Sequence, residues 1–181
     1  MKVLALAASN SRQSINKQLV SYAGEVLTSK VITNAEVEVE VIDINDFEMA
    51  LYSIDRETES GIPQQAQTFY DKIGSVDAII ISYAEHNGSY TAAFKNLFDW
   101  TSRIDPKVYQ GKKMLMLGTS PGPGGAGSVL AAATGSAPYF AGEVKASLSV
   151  GSFYDNFDME TGQLRNAEIQ AQLEEALATL K

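Results

Sequence analysis

The chain has 181 residues, no cysteine and a single histidine, His86. Without cysteine there can be no disulfide, iron–sulfur cluster, thiolate zinc site or thiol nucleophile. One histidine also excludes histidine-rich metal sites, so no metal centre is expected. Electron or group transfer would then need a borrowed organic cofactor. Long apolar runs are missing too: none approaches the ~18 residues of a membrane span. Lys2 precedes only a short apolar stretch, which is not a signal-peptide pattern. A soluble, cytoplasmic protein is the expectation. Basic side chains are scarce, 14 against 22 acidic, for a net charge of −8. That balance argues against nucleic acid and anionic membrane as partners, so any bound anion must be held by local groups. The length suits one domain over residues 1–181, burying roughly 70% of its unfolded surface.

What is present is an alternation of strand and helix patterns. Lys2 to Ala8, Val76 to Tyr83 and Lys113 to Gly118 are continuous apolar runs, the mark of strands covered on both faces. Glu36 to Ile44 and Val144 to Val150 read as two further strands. Helical periods occupy Ile15 to Thr28, Pro63 to Ile73, Thr91 to Ile104 and about Asn166 to Leu180. Five strands separated by helices predict an α/β fold: a parallel sheet in three layers, with helices on both faces. For the strand order 2-1-3-4-5, ligands sit beyond the carboxyl ends of the strands, between the first and third. The connection from Asn45 to Pro63 is long for so compact a domain; a lid, a partner-contacting loop and a plain surface excursion all fit it.

Three loops reach that edge. The first, "AASNSRQSINK" from Ala7 to Lys17, has three hydroxyls, three amides and an arginine but no glycine. Ser14 suits a helix N-cap, accepting from an amide near Asn16 or Lys17. A phosphate cradle would use the free helix amides, the remaining hydroxyls and the positive end of the helix together. Both readings stay open on this loop alone. A Walker-type loop is disfavoured, because its glycines and lysine are missing.

The third loop, "LGTSPGPGGAG", matches two patterns by letter. As a G-x-S-x-G hydrolase elbow it fails, because the residue after Ser120 is Pro121, which has no N–H for an oxyanion hole. As a G-x-G-x-x-G dinucleotide fingerprint it lacks an acid at the end of the next strand: Glu143 stands at that strand's start. Ser120 and the glycines after it instead suit a narrow wall that lets a flat ligand approach the backbone.

The middle loop and the helix after it carry Ala84-Glu85-His86-Asn87-Gly88-Ser89, then Lys95-Asn96 and Asp99-Trp100. This resembles the flavodoxin-like NAD(P)H-dependent FMN reductases, whose pattern here is P-E-Y-N-G/H-S followed by K-N-x-x-D-W. Their serine-rich G-S-x-R-x-x-S-x-N loop appears as Ala8 to Asn16, with the arginine displaced by one position to Arg12, and their G-x-S-P-G turn as Gly118 to Gly122. The resemblance covers essentially the whole chain and implies a flavodoxin-like domain. It implies FMN as cofactor, its phosphate held by Ser9, Ser11, Ser14, Ile15 and Asn16. The flavin ring would lie against Ala84, Glu85, His86 and Asn87, with Ser120 and Gly122 closing the other side. It further implies NADPH or NADH as hydride donor and flavin, quinone or a similar small molecule as acceptor. An electron carrier without nicotinamide turnover, and a flavin-free phosphate-binding domain, are the alternatives. His86 stands where the pattern has tyrosine: it either tunes the flavin or merely fills space. Glu85 is read as a paired acid or a solvated carboxylate. Trp100, beside Ala93 and Asn96, suggests a helix-to-helix subunit contact, in keeping with the homodimer or homotetramer the resemblance implies; plain exposure of the indole is the other reading.

Overall fold

The structure, a computed structural model, describes residues 1–33 and 36–181. Its centre is a five-stranded parallel sheet in the order β2-β1-β3-β4-β5, formed by β1 (Lys2–Ala8), β2 (Glu38–Ile42), β3 (Ala78–Tyr83), β4 (Lys113–Thr119) and β5 (Glu143–Val150). The predicted order and class are therefore the observed ones. Along β1 the side chains alternate between two cores. Leu4, Leu6 and Ala8 meet Phe69, Phe94 and Val129 on one face, while Val3, Ala5 and Ala7 meet Leu19, Val20 and Leu177 on the other. Period-two geometry with apolar residues at every position requires cover on both sides. Helices α3 (Gln64–Gly74), α4 (Ala92–Thr101) and α5 (Gly127–Ser136) supply the first layer, and α1 (Ile15–Val26) and α7 (Ala167–Ala178) the second.

The outer strands are shorter or more open than the apolar pattern suggests. Glu36 and Val37 lie outside β2, and Ile44 begins a 3₁₀ turn, Ile44–Phe47. Helix α1 continues as a π-helical turn, Leu27–Val31. After β5 come three elements that the sequence pattern does not announce: α6 (Phe153–Asn156) and a two-residue hairpin of β6 (Phe157–Asp158) and β7 (Gln163–Leu164).

Trp100 is not an exposed subunit contact: it is 1% exposed. Its cover is the Asn45 to Pro63 connection, which contains helix α2 (Ile54–Ser60) and lies as a strap over α4. The indole Nε1 donates to the Ala50 carbonyl at 2.8 Å, and the Tyr52 ring meets the indole edge-on at 5.0 Å. Asn96 accepts from the Tyr52 amide at 2.8 Å and donates to the Met49 carbonyl at 3.1 Å. Trp100 and Asn96 therefore satisfy the polar backbone of an otherwise irregular segment, as a buried loop requires.

Candidate functional site

The carboxyl edge of the sheet is stitched together by side chains. Thr91 Oγ1 donates to the Ala8 carbonyl at the end of β1, and Thr119 Oγ1 to the Val150 carbonyl at the end of β5. Asn16, 2% exposed, accepts from the Ser82 hydroxyl at 2.7 Å and from the Thr119 amide at 3.1 Å, and donates to the Thr119 carbonyl at 3.2 Å. These bonds place the start of α1 over the ends of β3 and β4.

Around that point lies a crevice of about 230 Å³. The first loop contributes Ser9, Ser11, Gln13, Ser14, Ile15 and Asn16 to its wall; the β3 loop contributes Ala84, Glu85 and His86; the β4 loop contributes Thr119, Ser120 and Pro121. Nine of the eleven residues singled out from the sequence thus meet in one concavity. The other two stand beside it. Asn87 and Gly88, with φ of 53° and 75°, form the tip of a tight turn closed by reciprocal backbone bonds between His86 and Ser89. An Asn-Gly pair is the preferred occupant of such a turn, because both positions require positive φ. The Gly122 carbonyl accepts from the Ser152 amide at 2.8 Å, which turns it toward α6.

At the first loop, Ser14 is the N-cap as expected: its Oγ accepts from the Lys17 amide at 3.2 Å. Ser9 Oγ accepts from the Ser11 amide at 3.3 Å. Both serines act here as acceptors, so their hydroxyl hydrogens remain for a ligand. The amides of Ile15 and Asn16 open the helix, where no carbonyl precedes them in register. Capping and anion binding are therefore compatible rather than competing: one Ser14 oxygen does the first and leaves the neighbouring donors free. Lys17 Nζ lies 2.6 Å from Asp43 Oδ2. The Lys17 bond holds the Asp43 carboxyl below its ordinary value, helped by the Asn45 amide.

Two features were not visible in the sequence pattern. Tyr154, on α6 beyond β5, lines the crevice and is 56% exposed. It follows the carboxyl end of β5 on the ligand-bearing edge, a position the same edge rule marks. Glu85 is not a free carboxylate: its Oε2 accepts from the Val129 amide at 2.9 Å. His86 is exposed. Among the described residues no helix is long and apolar enough to cross a membrane, and no cluster of His, Asp and Glu is placed to hold a metal ion.

Comparison with known proteins agrees with this geometry. The sequence profile of the NADPH-dependent FMN reductases matches residues 1–153. An NAD(P)H:quinone oxidoreductase of Solanum tuberosum is 30% identical over 125 residues, covering 69% of this chain and 61% of the relative. A quinone reductase of Escherichia coli is 26% identical over 122 residues, 67% of this chain and 61% of the relative. The match thus spans less than two thirds of those relatives' own length. Among solved structures, the flavoenzyme FerB of Paracoccus denitrificans superposes with a TM-score of 0.78 at 20% identity, over 99% of this chain and 94% of that one. An NAD(P)H:quinone oxidoreductase from Methanothermobacter marburgensis gives 0.68 at 19%, over 100% and 96%. At such identities the superpositions speak for the fold alone, but the profile runs from the first strand through the last strand of the sheet, and the chain belongs to the NADPH-dependent FMN reductase family.

Proposed function

We propose that the crevice holds FMN and that the chain is an oxidoreductase taking hydride from NADPH or NADH and passing electrons to a quinone, a flavin or a similar small acceptor. The observation that carries this reading is the convergence of hydroxyl and amide donors from the first loop with small-residue walls from the β3 and β4 loops. The donor set fits a phosphomonoester: Ser9, Ser11, Ser14, Ile15 and Asn16, with their hydroxyls and helix-opening amides, line the crevice at the start of α1, where the helix end favours negative charge. Since the chain as a whole carries −8, attraction of the anion must come from these local groups.

FMN, when bound, supplies the hydride-accepting and electron-passing chemistry. The chain's own residues orient and shield. Asn16 fixes the cradle to the sheet, and the Ala84 to His86 backbone and Ser120 present a flat, narrow wall. No side chain in the crevice is required as a nucleophile or proton donor, in keeping with hydride transfer by positioning alone. We infer a cytoplasmic location, which a supply of nicotinamide donors would suit.

We further place a homodimer contact on the face of α4 and α5. No charged side chain occurs between Lys113 and Glu143, and α5 presents Ala131, Ala132 and Gly135 outward. Beside it opens an apolar cavity of about 320 Å³ walled by Phe94, Phe98, Tyr109 and Phe140. Lys95 and Asp99 of α4 also line this cavity but pair with each other at 2.6 Å, so the face has no net charge, and on it two copies of so acidic a chain meet with little repulsion. Ala132→Glu should convert the dimer to monomer by analytical ultracentrifugation.

The test of function is anaerobic: NADPH and NADH are added separately to FMN-loaded protein and the visible flavin absorbance is followed. Bleaching by either donor, reversed by a quinone, supports the enzyme reading. Stable FMN binding with bleaching by neither would leave an electron carrier, and failure to retain FMN would remove the reading altogether.

A further inference from the structure

Helix α5 begins without a cap of its own. Its N-cap position is Ala126, held at φ 58° with no side-chain acceptor, and the amides of the first turn have no intrahelical partner. The missing acceptor arrives from another loop, 44 residues away: Glu85 Oε2 takes the Val129 amide at 2.9 Å. Glu85 is half-buried and lines the crevice together with Ser120 and Pro121.

The glycine-rich turn between Ser120 and Gly127 is held elsewhere as well. The Phe153 amide donates to the Ser120 carbonyl at 3.1 Å and the Ser152 amide to the Gly122 carbonyl at 2.8 Å. The Ser149 hydroxyl donates to the Gly125 carbonyl at 2.9 Å. All of these tie the turn to β5 and α6, behind it. Two described side-chain bonds cross from the β3 loop to α5: a 3.3 Å contact between the Tyr90 and Ser136 hydroxyls at the helix's far end, and the Glu85 bond at its start, which is the charged one.

We propose that Glu85 is a positioning residue: its carboxylate couples the β3 loop to α5, sets the width of the flavin crevice and neutralises the positive end of α5 beside the ring. The proposal rests on the FMN reading above. Two consequences separate. The hydrogen bond preorganises the walls, so its loss weakens cofactor binding. The charge opposes accumulation of negative charge on reduced flavin; its removal also uncovers the helix end, and both changes raise the reduction potential.

Glu85→Gln keeps an oxygen acceptor for the Val129 amide but removes the charge. Glu85→Ala removes both. FMN affinity should fall about tenfold in Glu85→Ala and stay within about threefold in Glu85→Gln. The flavin midpoint potential of Glu85→Gln should rise above that of the native protein. In FMN-free chains, hydrogen exchange at the Val129 amide should accelerate in Glu85→Ala and remain near native in Glu85→Gln. Native affinity together with native Val129 exchange in Glu85→Ala would overturn the proposal, and so would an unchanged potential in Glu85→Gln. Because the exchange measurement needs no cofactor, a native chain that never binds FMN would sink the functional reading while the tether itself is still tested.

Discussion

Asn16 and Thr119, 103 residues apart, exchange two hydrogen bonds: Asn16 Nδ2 donates to the Thr119 carbonyl and the Thr119 amide donates to Asn16 Oδ1. With the Ser82 hydroxyl on the same Oδ1, this one amide side chain ties α1 to β3 and β4. It offers a ligand its backbone amide and its second Nδ2 hydrogen, while its carbonyl is spent on the fold. Asn16→Ala strands the Thr119 amide and the Ser82 hydroxyl in a buried setting. At about 1–3 kcal/mol for each orphaned group, urea denaturation should show a loss of about 2–6 kcal/mol. A variant as stable as the native chain would mean that water replaces Asn16 without cost.

Trp100 and the strap make the second prediction. Trp100→Phe removes the Nε1 donor, leaves the Ala50 carbonyl with its longer 3.2 Å bond from Asn96 and shrinks the surface against Tyr52. The expected cost is about 1–3 kcal/mol, concentrated in the strap rather than spread over the sheet. Trypsin should cut after the exposed Arg56 faster than in the native chain, and sedimentation should show no change in oligomeric state, because Trp100 faces the strap and not a partner. Native cleavage rates at Arg56 would show that the strap is held without the indole.

How far all this could be read in advance depends on the range of the interaction. β1, β3 and β4 announce themselves because burial on both faces forces an unbroken apolar run, and Ser14 announces itself because capping is local. The Asn87-Gly88 pair carries its turn in two letters. The strap over Trp100, the Asn16 stitches and the reach of Glu85 to Val129 join residues 44 to 103 positions apart, and no local pattern encodes them. Trp100 was misplaced for that reason: helical spacing gives its face but not what lies on it. Helix α6 and the hairpin after it have too few residues to show a period. The resemblance brought nine residues of the crevice together and could not supply Tyr154, which lies just past the matched span.

The Lys17–Asp43 pair predicts a pH dependence. Asp43 is held below its ordinary value of 3.8, first by the Lys17 side chain. A carboxylate depressed by folding adds stability above its unfolded value and loses that stability as pH falls through the folded one. Lys17→Met should therefore cost about 0.2–1 kcal/mol at neutral pH, as befits a partly exposed pair. The gap between the two proteins should close as pH falls below 3.8. Thermal melts of both across that range check it: a gap that persisted in acid would assign the effect to lost packing of the lysine stem instead of the charge.

Tyr154 gives the last prediction. Ser152 sits in the left-handed region at φ 47°, Phe153 is fully buried and stacks on Phe157 at 4.7 Å, and the Ser152 and Phe153 amides are both bonded to the β4 loop. This short helix is therefore a fixed platform, and it carries an aromatic ring that is more than half exposed at the crevice. A ligand entering the crevice buries that ring at little entropic cost, since the backbone beneath it is already ordered. Tyr154→Ala should lower FMN affinity about five- to tenfold, equivalent to about 1–1.4 kcal/mol of aromatic contact, while lowering the melting temperature only slightly, because the ring is more than half exposed and meets Phe153 just edge-on at 5.6 Å. Tyr154→Phe should bind FMN within about twofold of native, the ring being retained. Equal affinities for the native and alanine proteins, measured by fluorescence titration, would show that α6 borders the crevice without touching what it holds.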